Sequence, residues 1–255
     1  MKPVSIIIPA HNAAGTLRAT LASLAADSQV VEELILVDDS STDGTADVAR
    51  RAADGDTRLS VIGNSPLPPG WAGKMWAVKQ GVDAAGTPKY LLLTDADITH
   101  APDALSRLVG KAESDGLGLV SLMVRLNCTS FWEALLIPAF VYFFQKLYPF
   151  PVVNDPARPM AAAAGGCMLV DRETLSAAGG IAAIRGALID DCTLAARIKP
   201  LKPIWLGLEA DTHSTRVYED LGPIWKMVAR SAYVQLRFNP LLLIGTVLGM
   251  ALLYV

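Results

Sequence analysis

The chain has 255 residues, enough for one large α/β domain or two small ones with a proper core. Its net charge of −3 and pI of about 5.6 exclude the basic footprint of a nucleic-acid binder, while 52% hydrophobic residues and a mean hydropathy of +0.36 are high for a freely soluble protein. Cys128, Cys167 and Cys192 form no Cys-x-x-Cys pair and His11, His100 and His213 are scattered, which argues against zinc and for reduced thiols facing a cytosol.

Met1-Lys2-Pro3 leads directly into a strand-like run, so no signal peptide is expected at this start. Val4–Pro9 is continuously apolar, as a parallel strand buried on both faces should be. Gly15–Ala26 carries leucines 17, 21 and 24 at helical spacing, Leu34–Val37 is a second buried strand and Thr45–Ala53 a second helix. Leu59–Ile62 reads as a third strand, and Pro66–Gly73 as a stiff loop before a helix over Lys74–Ala85. Tyr90–Leu93 is a fourth strand ending at Thr94-Asp95-Ala96-Asp97. Such alternation predicts right-handed βαβ units and an open, mainly parallel sheet flanked by helices, with ligands bound outside the strands' carboxyl ends.

The second half is less regular. Phe131–Phe150 is rich in large apolar and aromatic side chains, with only Glu133 and Lys146 charged. Pro138 is expected to kink or break a helix there, and the segment reads either as an interfacial helix or as an ordinary core helix. Ala161–Gly166 leads to a strand at Cys167–Val170, Ile189–Ile198 opens on two aspartates and continues as a helix, and Ile224–Phe238 is a helix carrying Lys226, Arg230 and Arg237. From Pro240 to Val255 no residue is charged. A bilayer-spanning helix needs ~20 apolar residues, so this run reads as the start of a transmembrane helix in a chain that continues, with a buried C-terminal helix as the alternative.

Three acidic clusters can carry chemistry. Asp38-Asp39 ends the second strand, where a carboxylate pair can accept hydrogen bonds from a uracil N–H and ribose hydroxyls, while Asp43 or Thr42 suits a helix cap. In Asp95-Ala96-Asp97 the carboxylates stand two apart and face one side. Hard oxygen donors there suit Mg2+ or Mn2+ bridging a diphosphate. In Asp190-Asp191 one aspartate can cap the following helix, or a carboxylate can act as general base towards an acceptor hydroxyl. Lys74 at a helix start suits a phosphate or simply a solvated surface, and Gly165-Gly166 suits close approach to a sugar or a tight turn.

Taken in order, IIIPAHNA (6–13), VDDSSTDGT (37–45), the Lys74/Gly81 helix, TDAD (94–97), GGCMLVDRETLSAAGG (165–180) and IDDCTLAARI (189–198) resemble the family 2 glycosyltransferase catalytic domain of GT-A type. More narrowly, GWAGKMWAVKQG, SFWEALLIPAFVYFFQKLYPF and AAAAGGCMLV are similar to the hopene-associated glycosyltransferases, a group similar to ceramide glucosyltransferases. The resemblance implies an inverting enzyme that moves a sugar from a UDP-sugar to a membrane-lipid hydroxyl, with transfer to a polyprenyl phosphate, or a non-catalytic nucleotide-sugar-binding module, as alternatives. It implies Asp191 as base, Asp97 as holder of Mg2+ or Mn2+, and nucleotide-sugar contacts from Pro9, Asp38, Asp39, Lys74, Asp95, Gly165, Gly166, Asp190 and Arg230.

His11-Asn12-Ala13 lacks the acidic residue often found after the first strand, and the family's Gln-x-x-Arg-Trp signature is absent, with Arg230 or Gln235-Leu-Arg237-Phe238 nearest to it. Transfer of a single sugar is therefore expected rather than polymer synthesis. The expected organisation is a GT-A domain over 1–238, with a nucleotide-binding half (1–100) and an acceptor half (101–238), then a truncated transmembrane segment over 239–255. The expected location is a bacterial inner membrane with the catalytic domain on the cytoplasmic side.

Overall fold

A computed structural model describes residues 3–27, 29–53, 55–63, 65–236 and 238–254. The elements in chain order are β1 (Val4–Ala10), α1 (Leu17–Ala26), β2 (Val31–Asp38), α2 (Thr45–Ala53), β3 (Leu59–Gly63), α3 (Gly73–Ala84), β4 (Tyr90–Thr94), β5 (Ile98–Thr99), α4 (Ala104–Ser114), β6 (Leu119–Arg125), α5 (Phe131–Leu147), α6 (Phe150–Asn154), β7 (Cys167–Asp171), α7 (Arg172–Ala177), a 3-10 turn (Ile181–Ile184), α8 (Asp190–Ile198), β8 (Ile204–Ser214), α9 (Leu221–Gln235) and α10 (Pro240–Tyr254). Two compact units result. The first holds residues 1–127 and 144–216, and the second holds 128–143 and 217–255.

The first unit is built on one eight-stranded sheet in the order β3-β2-β1-β4-β7-β6-β8-β5. β3, β2, β1 and β4 pair in parallel, as the alternation of strands and helices predicts. Beyond β4 the sheet is mixed. β7 runs antiparallel to both neighbours and β5 runs antiparallel to β8, while β6 and β8 are parallel. The mixed half positions the site: because Thr94 pairs with Cys167 in an antiparallel ladder, Gly165-Gly166 at the start of β7 lies beside the carboxyl end of β4. The core is filled by Ile6, Ile7, Ile8, Leu36, Leu91 and Leu92, all fully buried. α3 packs so tightly on β1 that a Cβ on Gly81 would meet Ile7 Cγ2 at 2.4 Å, so glycine lets the helix carrying Lys74 approach the sheet.

The second unit is helical. Ser130 and Glu133 form a capping box at the start of α5: Ser130 Oγ accepts from Glu133 N at 3.2 Å, and Glu133 Oε2 accepts from Ser130 N at 2.8 Å. Thr129 N donates to the same oxygen at 3.0 Å, Tyr218 N donates to Glu133 Oε1 at 2.6 Å, and Ser130 Oγ donates to Tyr218 O at 2.8 Å. Burial would raise the Glu133 carboxyl, but these N–H donors outweigh it and hold it below the usual range. Glu133→Ala should cost roughly 2–4 kcal/mol, by loss of a cap and of several charge-assisted bonds. Hydrogen exchange at the Ser130 and Tyr218 amides checks this, and unchanged protection in the variant would contradict it.

One expectation needs correction, the break of the helix at Pro138. α5 runs unbroken through Pro138. Pro138 and Ala134 are both exposed, so the carbonyl that loses its helical partner lies on the solvent side. The apolar run expected as a truncated transmembrane segment over 239–255 forms α10. α10 has fifteen residues, about 22 Å at 1.5 Å per residue against ~30 Å of hydrocarbon. No single helix among the described residues is long and apolar enough to cross a membrane, and α9 with α10 passes that test only as a pair bent by 111°. Arg237 and Val255 lie outside the described residues.

Candidate active site

The loops after β1 and β2 are stitched together. Ser41 Oγ accepts from Asn12 N at 3.0 Å, Thr45 Oγ1 from Ala13 N at 2.9 Å, Asp43 Oδ2 from Ala14 N at 3.0 Å, and Asn12 Oδ1 from Thr42 N at 2.9 Å. Asn12 and Ser40 take left-handed backbone at φ +51° and +57° to make these contacts. The back half of VDDSSTDGT is therefore structural: Asp43 also accepts from Thr45 N at 3.0 Å, and these hydroxyl and amide donors hold its carboxyl low. Asp38 Oδ1 accepts from Ser41 N at 3.1 Å and closes the turn. Asp39 instead reaches towards the start of α3, where a Cβ on Gly73 would sit 3.0 Å from its Oδ2. Its carbonyl accepts from His11 Nδ1 at 2.6 Å.

At the carboxyl end of β4 the chain turns through Asp95-Ala96-Asp97. Lys74 Nζ lies 2.9 Å from Asp95 Oδ1 and 3.5 Å from Asp190 Oδ2. Lys74 thus pairs with two carboxylates, one from the end of β4 and one from the start of α8. The side chain is 41% exposed. Partial desolvation would depress the ammonium, but Asp95, Asp190 and Asp191 outweigh it and keep it protonated. Asp191 Oδ2 accepts from Gly165 N at 2.9 Å and Oδ1 from Cys192 N at 2.7 Å. Burial and the neighbouring Asp190 raise Asp191 to about 6, against the lowering pull of those donors and Lys74. A carboxylate raised this far in a cleft is a candidate general base. A pocket here is lined by the polar residues Lys74, Thr94, Asp95 and Asp190 with Gly165 and Pro9, and by the apolar Met75, Val78, Leu93, Met168, Ile181, Ile184 and Leu194.

Asp97, two residues on from Asp95, is paired with an arginine. It is only 8% exposed, and Arg216 Nε lies 2.7 Å from its Oδ2. Burial and Asp95 push its carboxyl up, with Arg216 opposing. Among the described residues no three His, Cys, Asp or Glu side chains form a metal cage. One or two carboxylates with phosphate oxygens are nevertheless how Mg2+ is commonly held. Asp97 with its neighbour Asp95 fits a metal arriving with a diphosphate, and does not fit a metal bound by protein alone.

Two features escaped the sequence reading. Arg216 follows β8, a strand the apolar pattern did not reveal. His100, buried after β5, carried no motif. Thr94 Oγ1 donates to Gly166 O at 2.8 Å, so His100 Nε2–H donates to Thr94 Oγ1 at 3.0 Å and Nδ1 is left without a partner. Burial drives the imidazole down to about 4, so it stays neutral and pins β4 to the Gly165-Gly166 loop. Pro9, Asp38, Asp39, Lys74, Asp95, Asp97, Gly165, Gly166, Asp190 and Asp191 all belong to the first unit, whereas Arg230 lies on α9 in the second.

Residues 5–178 match the profile described as glycosyl transferase family 2, more than half of the chain. The chain belongs to glycosyl transferase family 2. Asp190 and Asp191 lie beyond the matched range. A 4,4'-diaponeurosporenoate glycosyltransferase of Staphylococcus aureus is 31% identical over 181 residues, covering 70% of this chain and 46% of that relative. The chain spans less than half the length of the curated relatives it matches. In fold it is similar to a mannosyltransferase from Pyrobaculum calidifontis in complex with GDP-Man and Mn2+, with TM-score 0.63 and 22% identity over 89% of this chain and 61% of that one. It is also similar to glucosyl-3-phosphoglycerate synthase from Mycobacterium tuberculosis in complex with Mn2+ and UDP-glucose, with TM-score 0.60 and 20% identity over 92% and 78%. The family 2 assignment agrees with a GT-A sheet whose acidic residues gather at the carboxyl ends of β2 and β4.

Proposed function

We propose that this family 2 domain transfers one sugar from a UDP-sugar to a hydroxyl of a membrane lipid, hopanoid or related, with inversion at the anomeric carbon. The observation that carries the reading is Asp191: a half-buried carboxylate raised to about 6, held by Gly165 N beside Lys74 and Asp95. Asp191 takes the proton of the acceptor hydroxyl. The oxygen attacks the anomeric carbon from the face opposite the leaving group, the bond to the diphosphate oxygen breaks, and UDP carries away the electron pair. Pro9, Asp38 and Asp39 line the uridine side, Gly165 and Gly166 leave room for the sugar, and Asp97 holds Mg2+ or Mn2+. A divalent ion there would neutralise charge growing on the leaving diphosphate. The fold neighbours solved with Mn2+ and a nucleotide-sugar support that assignment.

The lipid acceptor draws support from the S. aureus relative, named as a glycosyltransferase of 4,4'-diaponeurosporenoate, and from exposed apolar surface. On α5 only Glu133 and Ile137 are buried, while Phe131, Leu135, Tyr142, Phe143 and Leu147 are exposed, unlike an ordinary core helix. α10 exposes Leu241, Leu242, Leu243, Ile244, Val247, Leu248, Met250 and Leu252. These surfaces suit the cytoplasmic face of a bacterial inner membrane. Replacing Phe131 and Phe143 with serine should weaken binding to anionic liposomes about tenfold, at ~0.8 kcal/mol per buried CH2, and leave UDP binding unchanged. Equal liposome binding by both proteins would remove α5 from the interface. The mechanism itself is tested by the product: NMR of the glycolipid made from an α-linked UDP-sugar should show a β-linkage, and an α-linkage would sink the single-displacement scheme.

A further inference from the structure

The geometry points to Lys74 as a positioning residue: its ammonium is the shared counter-ion of the Asp190–Asp191 pair, with Asp95 holding it in place. The inference rests on Asp191 being the base.

Three observations carry it. Asp190 Oδ2 is buried and makes no hydrogen bond, and the cation 3.5 Å from it is Lys74. A buried carboxylate oxygen without a donor needs a cation nearby or it takes up a proton. Asp191 shares this environment. A Cβ built on Gly165 would lie 3.3 Å from Asp191 Oδ2 and 3.6 Å from Lys74 Nζ, so both groups converge on one side of that glycine. Finally, Lys74 is anchored by its shortest ion pair, 2.9 Å to Asp95 at the end of β4, and Gly81 lets α3 close on the sheet to deliver it there.

The groups facing Asp191 are few. Lys74 comes from α3, Gly165 N from the loop before β7, and Asp190 with the Cys192 N–H and thiol from α8 itself. The thiol is pushed up to about 12 by burial and stays neutral. Of these only Lys74 is a cation. Removing it leaves two adjacent carboxylates with one N–H donor from α8 and one from the Gly165 loop, and the pair then retains a proton to higher pH. A base that keeps its proton cannot take one from the acceptor. A lysine whose task is to grip the donor phosphates behaves differently: its loss raises the donor KM and leaves the acid limb of kcat where it was.

The test compares wild type with Lys74→Met, Lys74→Arg, Asp190→Asn and the charge-balanced pair Lys74→Met/Asp190→Asn. The readouts are kcat against pH at saturating UDP-sugar with a membrane lipid extract, and thermal unfolding against pH without substrate. Lys74→Met should move the acid limb of kcat upward by about one pH unit or more, Lys74→Arg should leave it near wild type, and the charge-balanced pair should bring it back. An unmoved limb with a raised donor KM overturns the proposal. Unfolding needs no turnover, so it answers even if no sugar is transferred. The stability lost as pH rises from about 4 through about 6 in wild type should extend to higher pH in Lys74→Met and shrink again in the pair. If Lys74→Met does not fold, recovery of folding in the charge-balanced pair supports the proposal, and a pair no more stable than the single variant overturns it.

Discussion

Asp191→Asn is expected to keep its fold while turnover falls about 10²-fold or more, because a positioned base is worth that much. The amide retains one acceptor for the two N–H groups that now bind the carboxylate, from Gly165 and Cys192. It also removes a charge beside Asp190, so the net effect on stability is small. Asp190→Asn should be milder, since Asp190 faces Lys74 and accepts no proton in the scheme. Equal losses of activity in both variants, with equal losses of melting temperature, would mean that the pair merely caps α8.

The same carboxylate sets two opposed pH dependences. Turnover should rise with pH through about 6, as Asp191 loses its proton. Stability should run the other way: the folded carboxyl binds its proton more tightly than the unfolded one, so the difference between wild type and Asp191→Asn is fullest below about 4 and lost as pH climbs through about 6. A polyprenyl-phosphate acceptor already carries its charge and needs no base. Asp191→Asn retaining most activity on such an acceptor would establish that rival.

Asp97→Ala should abolish metal-dependent nucleotide binding, because no third His, Cys, Asp or Glu among the described residues can complete a metal site. The loss also leaves Arg216 without the carboxylate oxygen 2.7 Å from its Nε. Calorimetry with UDP and Mn2+ reads this directly. Unchanged affinity in the variant removes Asp97 from that role, and Mn2+ binding to wild type without nucleotide, as tight as with it, removes the diphosphate from the metal site.

The first half of the fold was legible because parallel strands buried on both faces are continuous apolar runs, as β1, β4 and the Leu34–Val37 stretch of β2 are. The second half was legible only in pieces. β8 spreads over IWLGLEADTHS, where glycine, acidic residues and partial exposure blur any period. α4 was missed although Leu105, Leu108, Val109 and Ala112 have helical spacing, and β6 although Leu119–Val124 is unbroken and buried. At the site, the acidic residues were readable since Asp38-Asp39 and Asp95-Ala96-Asp97 close strands and Asp190-Asp191 opens a helix. Their partners were not. Asp97 meets Arg216, and Asp191 meets Gly165, only after β7 and β8 have folded back across the sheet. Lys74 was read as a phosphate ligand or a solvated lysine, because nothing local shows that three carboxylates converge on it.

The most direct test of the central claim is UDP release measured with a panel of UDP-sugars, a membrane lipid extract, and Mg2+ or Mn2+. Release that requires both the lipid and the divalent ion, and falls about 10²-fold in Asp191→Asn, is the expected result. Metal-dependent UDP binding with no release on any lipid extract and any UDP-sugar would contradict it.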